Sequence, residues 1–185
     1  MIFLVCILFV LGVFAASAFA IGKFNQLVTL RHRISTRMLQ FDFALRNQSA
    51  EIRTMVNDPA WLKAADLPPA GFFSWLARAE ESAHRAVSGR LCDGNLAELA
   101  AADELIASCW NILLVDARDD LARLARCHLV SNAEARGKIA GLVVHYSHLA
   151  RSISCRWIAR ASGFESLTAT DCLSEKILPL DRSAP

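Results

Sequence analysis

An all-α fold, in which an N-terminal transmembrane helix continues into an antiparallel four-helix bundle, is predicted by three observations. Ile2 to Gly22 is an unbroken run of apolar and small residues without a charge. From Phe24 onward, apolar residues recur every three or four positions, the spacing of one helical face. No stretch shows the two-residue alternation of a half-buried strand. The expected organisation is a transmembrane anchor over 1–22, a helical bundle over 23–164 and an irregular C-terminal tail over 165–185.

The first run spans about 30 Å as a helix, the thickness of a bilayer's hydrocarbon core. Its side chains are mostly Leu, Ile, Val and Phe, all of which favour insertion. Ala18-Phe19-Ala20 has the small-x-small form of a signal-peptidase site, so a soluble bundle secreted after cleavage is the alternative. No Lys or Arg precedes the run, whereas a signal peptide opens with a basic region, and this favours a retained anchor. Lys23, Arg31, Arg33 and Arg37 follow it within about 15 residues, the window in which positive charge holds a flank in the cytoplasm. The N-terminus is therefore expected outside and the bundle inside. Six cysteines without a CxxC motif fit a reducing compartment.

The chain after the anchor is long enough for one core. A net charge of +2 excludes nucleic-acid binding driven by bulk charge. The basic flank reads more simply as attraction to anionic lipid.

The first bundle helix should continue the anchor without a break. Its stripe is Phe24, Leu27, Val28, Leu30, Ile34, Met38, Phe41, Leu45, Ile52 and Val56, with one gap, and Asn57-Asp58-Pro59 should end it. A loop around Trp61 and Leu62 follows. The second helix should begin near Phe72 and bury Trp75, Leu76, Ala79, Ala83, Ala86 and Val87, with Arg78, Glu80, Glu81 and Arg85 outward, ending near Arg90. Asp93-Gly94-Asn95 reads as a turn, with Asn95 and Glu98 as a capping pair opening a third helix to about Cys127. That helix should bury Leu96, Leu99, Leu105, Ile106, Cys109, Trp110, Leu113, Leu114, Leu121 and Leu124. Ser131 and Glu134 repeat the capping pattern, and the fourth helix carries Ile139, Leu142, Val143, Tyr146, Leu149, Ile153 and Trp157 to a Gly163 cap.

Two blocks carry a family resemblance. Phe24-Asn25-x-Leu27-Val28-x-Leu30-Arg31, followed without a gap by Ile34, Phe41, Asp42, Leu45 and Arg46, resembles the opening helix of the LemA family of bacterial membrane proteins. Ile139-Ala140, Tyr146-Ser147 and Trp157-Ile158-Ala159-Arg160-Ala161-Ser162-Gly163-Phe164 are similar to its last helix and the Gly-Phe that closes it. The resemblance implies a single-pass protein of the bacterial inner membrane with a long antiparallel bundle. It marks Phe24, Asn25, Leu27, Val28, Leu30, Arg31, Asp42, Leu45, Ile139, Tyr146, Gly163 and Phe164 as family-motif positions. The chain reads as a divergent member: where the family's last helix carries two Tyr-Asn pairs, this one has Tyr146-Ser147 and Ile153-Ser154.

No stretch spells out a reaction. His145 and His148 share a helical face, and Cys127-His128 can approach from the end of the expected third helix, so a metal- or thiol-dependent enzyme built on His145, His148 and Cys127 is the alternative function. There is no HExxH and no close cysteine pair. One of the two histidines should face solvent and the other the core edge. The acid pairs Glu80-Glu81 and Asp119-Asp120 read as solvated faces, since neighbours on a helix point about 100° apart. Cys109 beside Trp110 reads as packing. The leading expectation is a non-enzymatic scaffold with no cofactor, catalytic or metal residue. Its partners are the membrane and proteins near it, with no nucleic acid and no small-molecule substrate.

Overall fold

The computed structural model describes residues 1–58, 71–114, 119–164 and 166–168, and among these there is no strand. Among the described residues five helices follow one another: α1 (Ile2–Val56), α2 (Phe72–Ser88), α3 (Asp93–Leu114), α4 (Asp119–Arg151) and α5 (Ile153–Ala161). The expected loop around Trp61 and Leu62 and most of the expected tail lie outside the described residues.

Helix α1 is continuous for 55 residues, about 80 Å. Nothing in Lys23–Asn57 breaks it, and Gly12 and Gly22 cost about 1 kcal/mol each in propensity, too little to interrupt a run of strong helix formers. Its apolar first part is long and apolar enough to cross a membrane and buries nothing against the rest of the chain. Its second part is the wall on which α2, α3, α4 and α5 all pack. Leu27, Leu30, Ile34, Met38, Phe41, Leu45, Ile52 and Val56 are buried as expected. Phe24 and Val28 are partly exposed instead: Val28 lies 100° around the helix from Leu27, and Phe24 is covered on one side by Phe164.

The stripe of α2 matches expectation at Phe72, Leu76, Ala79, Ala83 and Ala86, and its small alanines let α3 pack closely against it. Helix α3 starts earlier than the capping pair implied. Asp93 and Gly94 are already helical, and Asn95 sits in the first turn, where its Nδ2 donates to the Arg90 carbonyl at 3.0 Å.

The largest departure concerns the next boundary. The expected third helix to Cys127 is two helices: α3 has its last described residue at Leu114, and Cys127 belongs to α4, which starts at Asp119 and runs through Ser131 and Glu134. Trp110 stacks on His128, and Asp103 meets Asn132 and Arg136, so α4 lies beside α3 rather than prolonging it. Ser131 is exposed in mid-helix and caps nothing. A Ser-x-x-Glu spacing is as compatible with a helix interior as with its start. Leu121 is half-buried and Leu124 exposed, as residues of an opening turn rather than of a helix middle.

The expected fourth helix also divides. Ser152, at ψ 144°, leaves the helical region between α4 and α5. The break shifts the phase of the stripe, so Cys155 and Ala159 are buried, while Trp157, expected in the core, is 82% exposed. Beyond Gly163 the described residues, 164 and 166–168, are not helical, but they are held. Leu167 is buried, its carbonyl accepts from Ser147 Oγ, and Thr168 donates through both its backbone N–H and its hydroxyl to the Asp93 carboxylate.

Candidate functional site

The stripe of α1 has its one gap between Leu45 and Ile52, and the residues that fill it are polar. Gln48 and Ser49 are buried there. Gln48 exchanges two hydrogen bonds with Asn132 of α4, Nε2 to Oδ1 at 2.7 Å and Nδ2 to Oε1 at 3.2 Å. Asn132 also donates to Asp103 of α3 at 2.7 Å, and Arg136 Nε closes on the other Asp103 oxygen at 3.0 Å. Three helices thus meet at one buried polar layer. Burial pushes the Asp103 carboxyl above its ordinary range, and the Arg136 charge and the Asn132 hydrogen bond oppose that shift.

On the α2 side the layer continues. Ser49 Oγ donates to Glu80, whose second oxygen takes Arg53 Nη2 at 2.9 Å. Glu80 is therefore a half-buried cross-link to α1, not the solvated residue expected, because it lies about one turn from both Leu76 and Ala83 on the buried side of α2. Asp42 is buried under a two-pronged pair with Arg46, Nε to Oδ1 at 3.0 Å and Nη2 to Oδ2 at 2.7 Å. Arg46 also reaches His84 Nδ1 at 2.8 Å, and since arginine only donates, that ring nitrogen is the acceptor. Glu51 bonds His128 Nε2 at 2.8 Å, and the His128 ring stacks on buried Trp110.

A second cluster gathers the motif positions near the end of the apolar segment. Phe164 packs on Phe24 with ring centroids 5.7 Å apart, and the Arg31 guanidinium lies 5.5 Å from the Phe164 ring. Gly163 has φ +65°, which favours glycine, and it closes α5 as a Schellman cap. Phe164 N–H donates to the Ala159 carbonyl at 2.8 Å and Gly163 N–H to that of Arg160 at 3.3 Å, while Arg90 reaches the Gly163 carbonyl. Leu27, Leu30, Leu45, Ile139 and Tyr146 are buried members of the core, whereas Asn25 and Val28 face outward.

The residues of the alternative enzyme are not brought together. His145 and His148 are both exposed, so neither sits at the core edge. Cys127 is exposed on the same helix, about 27 Å along it from His145. Among the described residues, no group of three or more His, Cys, Asp or Glu is placed to hold a metal ion. Cys109 is buried, and its thiol is pushed up to about 11 by burial, which suppresses the thiolate. Asp120 is exposed and pairs with Arg123 on its own helix.

Sequence reasoning missed Gln48, Ser49, Asp103, Asn132 and Arg136. The available signal was the gap itself, a seven-residue space in a stripe that otherwise steps by three or four. No protein-family model, no curated protein and no solved structure matches the chain.

Proposed function

We propose that this chain is a single-pass membrane protein of LemA type, a non-enzymatic scaffold that holds a stiff helical bundle against the bacterial inner membrane and offers its surface to protein partners. The observation that carries the reading is the continuity of α1, one helix whose first part is apolar and unburied and whose second part is the central wall of the domain. A rigid connection of this kind fixes the domain's height and tilt relative to the bilayer, which a flexible linker would not do.

An antiparallel four-helix arrangement is supported by the order of contacts. Phe24 meets Phe164, Gln48 meets Asn132 and Glu51 meets His128, so numbers rise along α1 as they fall along its partners. Cytoplasmic placement of the domain is supported by Lys23, Arg31, Arg33 and Arg37 on the domain side of the apolar run. A structural role is supported by the way the buried and half-buried acids are engaged by arginines: Asp103 by Arg136, Glu80 by Arg53, Asp42 by Arg46. Resemblance to the LemA family rests on the two blocks at either end of the domain.

Protease protection of a tag placed after Pro185 tests the reading, with spheroplasts and inverted vesicles compared after alkaline extraction. The expected result is an alkali-resistant chain whose tag survives in spheroplasts and is cut in inverted vesicles. Release by alkali would remove the anchor. Cutting in spheroplasts would reverse the orientation and redirect the search for partners to the envelope.

A further inference from the structure

Helix α5 presents a face that has no packing partner among the described residues. Its inner side, Cys155 and Ala159, is buried. Trp157, two residues from each and so about 200° around the helix, is 82% exposed. Arg156 and Arg160, one turn apart on the same helix, line an open cleft of about 560 Å³ together with Arg151, Ser166 and Phe164. No carboxylate is among the described residues lining the cleft, and none of the three arginines has an ion-pair partner among the described residues.

The location of this face matters. Phe164, one wall of the cleft, packs on Phe24, two residues beyond the apolar run that ends at Gly22, an axial step of about 3 Å. The broken backbone at Ser152 turns α5 out of the line of α4, and Arg90 grips the carbonyl of Gly163 at its far end. A short helix at this height with an exposed tryptophan and a cluster of arginines has the composition of an interfacial segment, in which the ring sits among headgroups and the guanidinium groups take phosphate.

We propose that the cleft of Arg151, Arg156 and Arg160 binds phosphate groups of anionic phospholipids, with Trp157 inserted at the headgroup level of the bilayer that α1 crosses. The inference rests on the membrane-anchor reading above. α5 then serves as a second point of attachment, which reinforces the tilt set by the continuous α1 and fixes which side of the domain faces the bilayer.

The test uses the full chain in lipid nanodiscs, made either of phosphatidylcholine alone or with added phosphatidylglycerol, and quenching by lipids brominated near the headgroup. The difference between the wild-type chain and Trp157→Phe isolates the signal of Trp157 from those of the other tryptophans. The expected result is a blue-shifted, quenched Trp157 signal in anionic discs that falls to its neutral-disc level in the triple variant Arg151→Gln, Arg156→Gln, Arg160→Gln. An unquenched, water-like Trp157 in a chain that still co-floats with anionic discs overturns this inference and leaves the anchor standing. A chain that floats with neither kind of disc overturns the anchor, and this inference with it. Equal quenching in both lipids, unchanged in the triple variant, overturns the arginine site. A response of the same size to inorganic phosphate alone overturns lipid as its ligand.

Discussion

From Phe3 to Ile21 the large side chains of α1 are exposed on every side, whereas from Leu27 to Val56 the same helix buries one residue in every three or four. The backbone is continuous across the junction, so helix propensity does not distinguish the two halves. What differs is where polar groups go. The hydroxyl of Ser17 bonds back to the Val13 carbonyl at 2.8 Å and needs no other helix. Asp42, Gln48 and Ser49 are buried and satisfied by Arg46, Asn132 and Glu80 respectively. The first half is complete as a lone helix. The second is specified by its partners, and the polar layer sets its register, since a shift of one residue along α1 would separate Gln48 from Asn132 and Ser49 from Glu80.

Removing a partner from that layer should have the largest effect. Asp103→Ala leaves Arg136 and Asn132 without their acceptor in a buried site, and the loss of one side of such a pair costs about 3–5 kcal/mol. Chemical denaturation of the detergent-solubilised chain measures it, and a cost below about 1 kcal/mol would show that the layer is not what holds α3 and α4 on α1. The same residue makes a claim about pH. Its folded pKa is raised above the unfolded value, so the native state holds the proton more tightly. The stability this provides is present below the ordinary aspartate pKa of about 3.9 and is lost as pH rises through the raised folded value. Relative to Asp103→Asn, the wild-type chain should therefore lose stability as pH increases from about 4. A gain would mean that Arg136 and Asn132 outweigh burial.

Legibility in the sequence followed the same division. The apolar half of α1, its buried stripe, the alanine stripe of α2 and the glycine that ends α5 were all readable, because each is a local pattern of residue type and spacing. The boundary between α3 and α4 was not. Both flanks of the acidic segment 116–120 keep helical periodicity, and a Ser-x-x-Glu spacing downstream offered a false start. Trp157 was misplaced because a single residue, Ser152, rotates everything after it, and serine in mid-pattern does not announce a break. The candidate polar layer needs residues from four helices, and only its share of α1 left a trace in the spacing.

A matched pair of leucine truncations tests the comparison directly. Leu45→Ala opens a cavity in the core and should cost about 2–5 kcal/mol of domain stability. Leu11→Ala removes the same atoms from the exposed half and should leave the domain within about 0.5 kcal/mol of the wild type. Both are read from the same denaturation curves in the same detergent. An equal loss from both would mean that the apolar half packs back on the domain, and the distinction between the halves would fail.

The smallest expected effect comes from two glycines that carry opposite signs. Gly22 sits at the junction in regular helix with nothing within 4 Å of a Cβ placed on it. Gly22→Ala should therefore raise helix stability by up to about 1 kcal/mol, stiffening the connection between the halves. Gly163 has a positive φ, and a Cβ there would meet Arg90 Nη2 at 3.5 Å, an ordinary contact, so the penalty is conformational rather than steric crowding. Gly163→Ala should cost about 1–2 kcal/mol and loosen Phe164 from Phe24 and Arg31. Hydrogen exchange at the N–H groups of residue 163 and Phe164, which donate the cap bonds to the Arg160 and Ala159 carbonyls, should report the change locally. If Gly163→Ala were neutral, the cap would not be what seats Phe164, and the contact between α1 and α5 would depend on the ring packing alone.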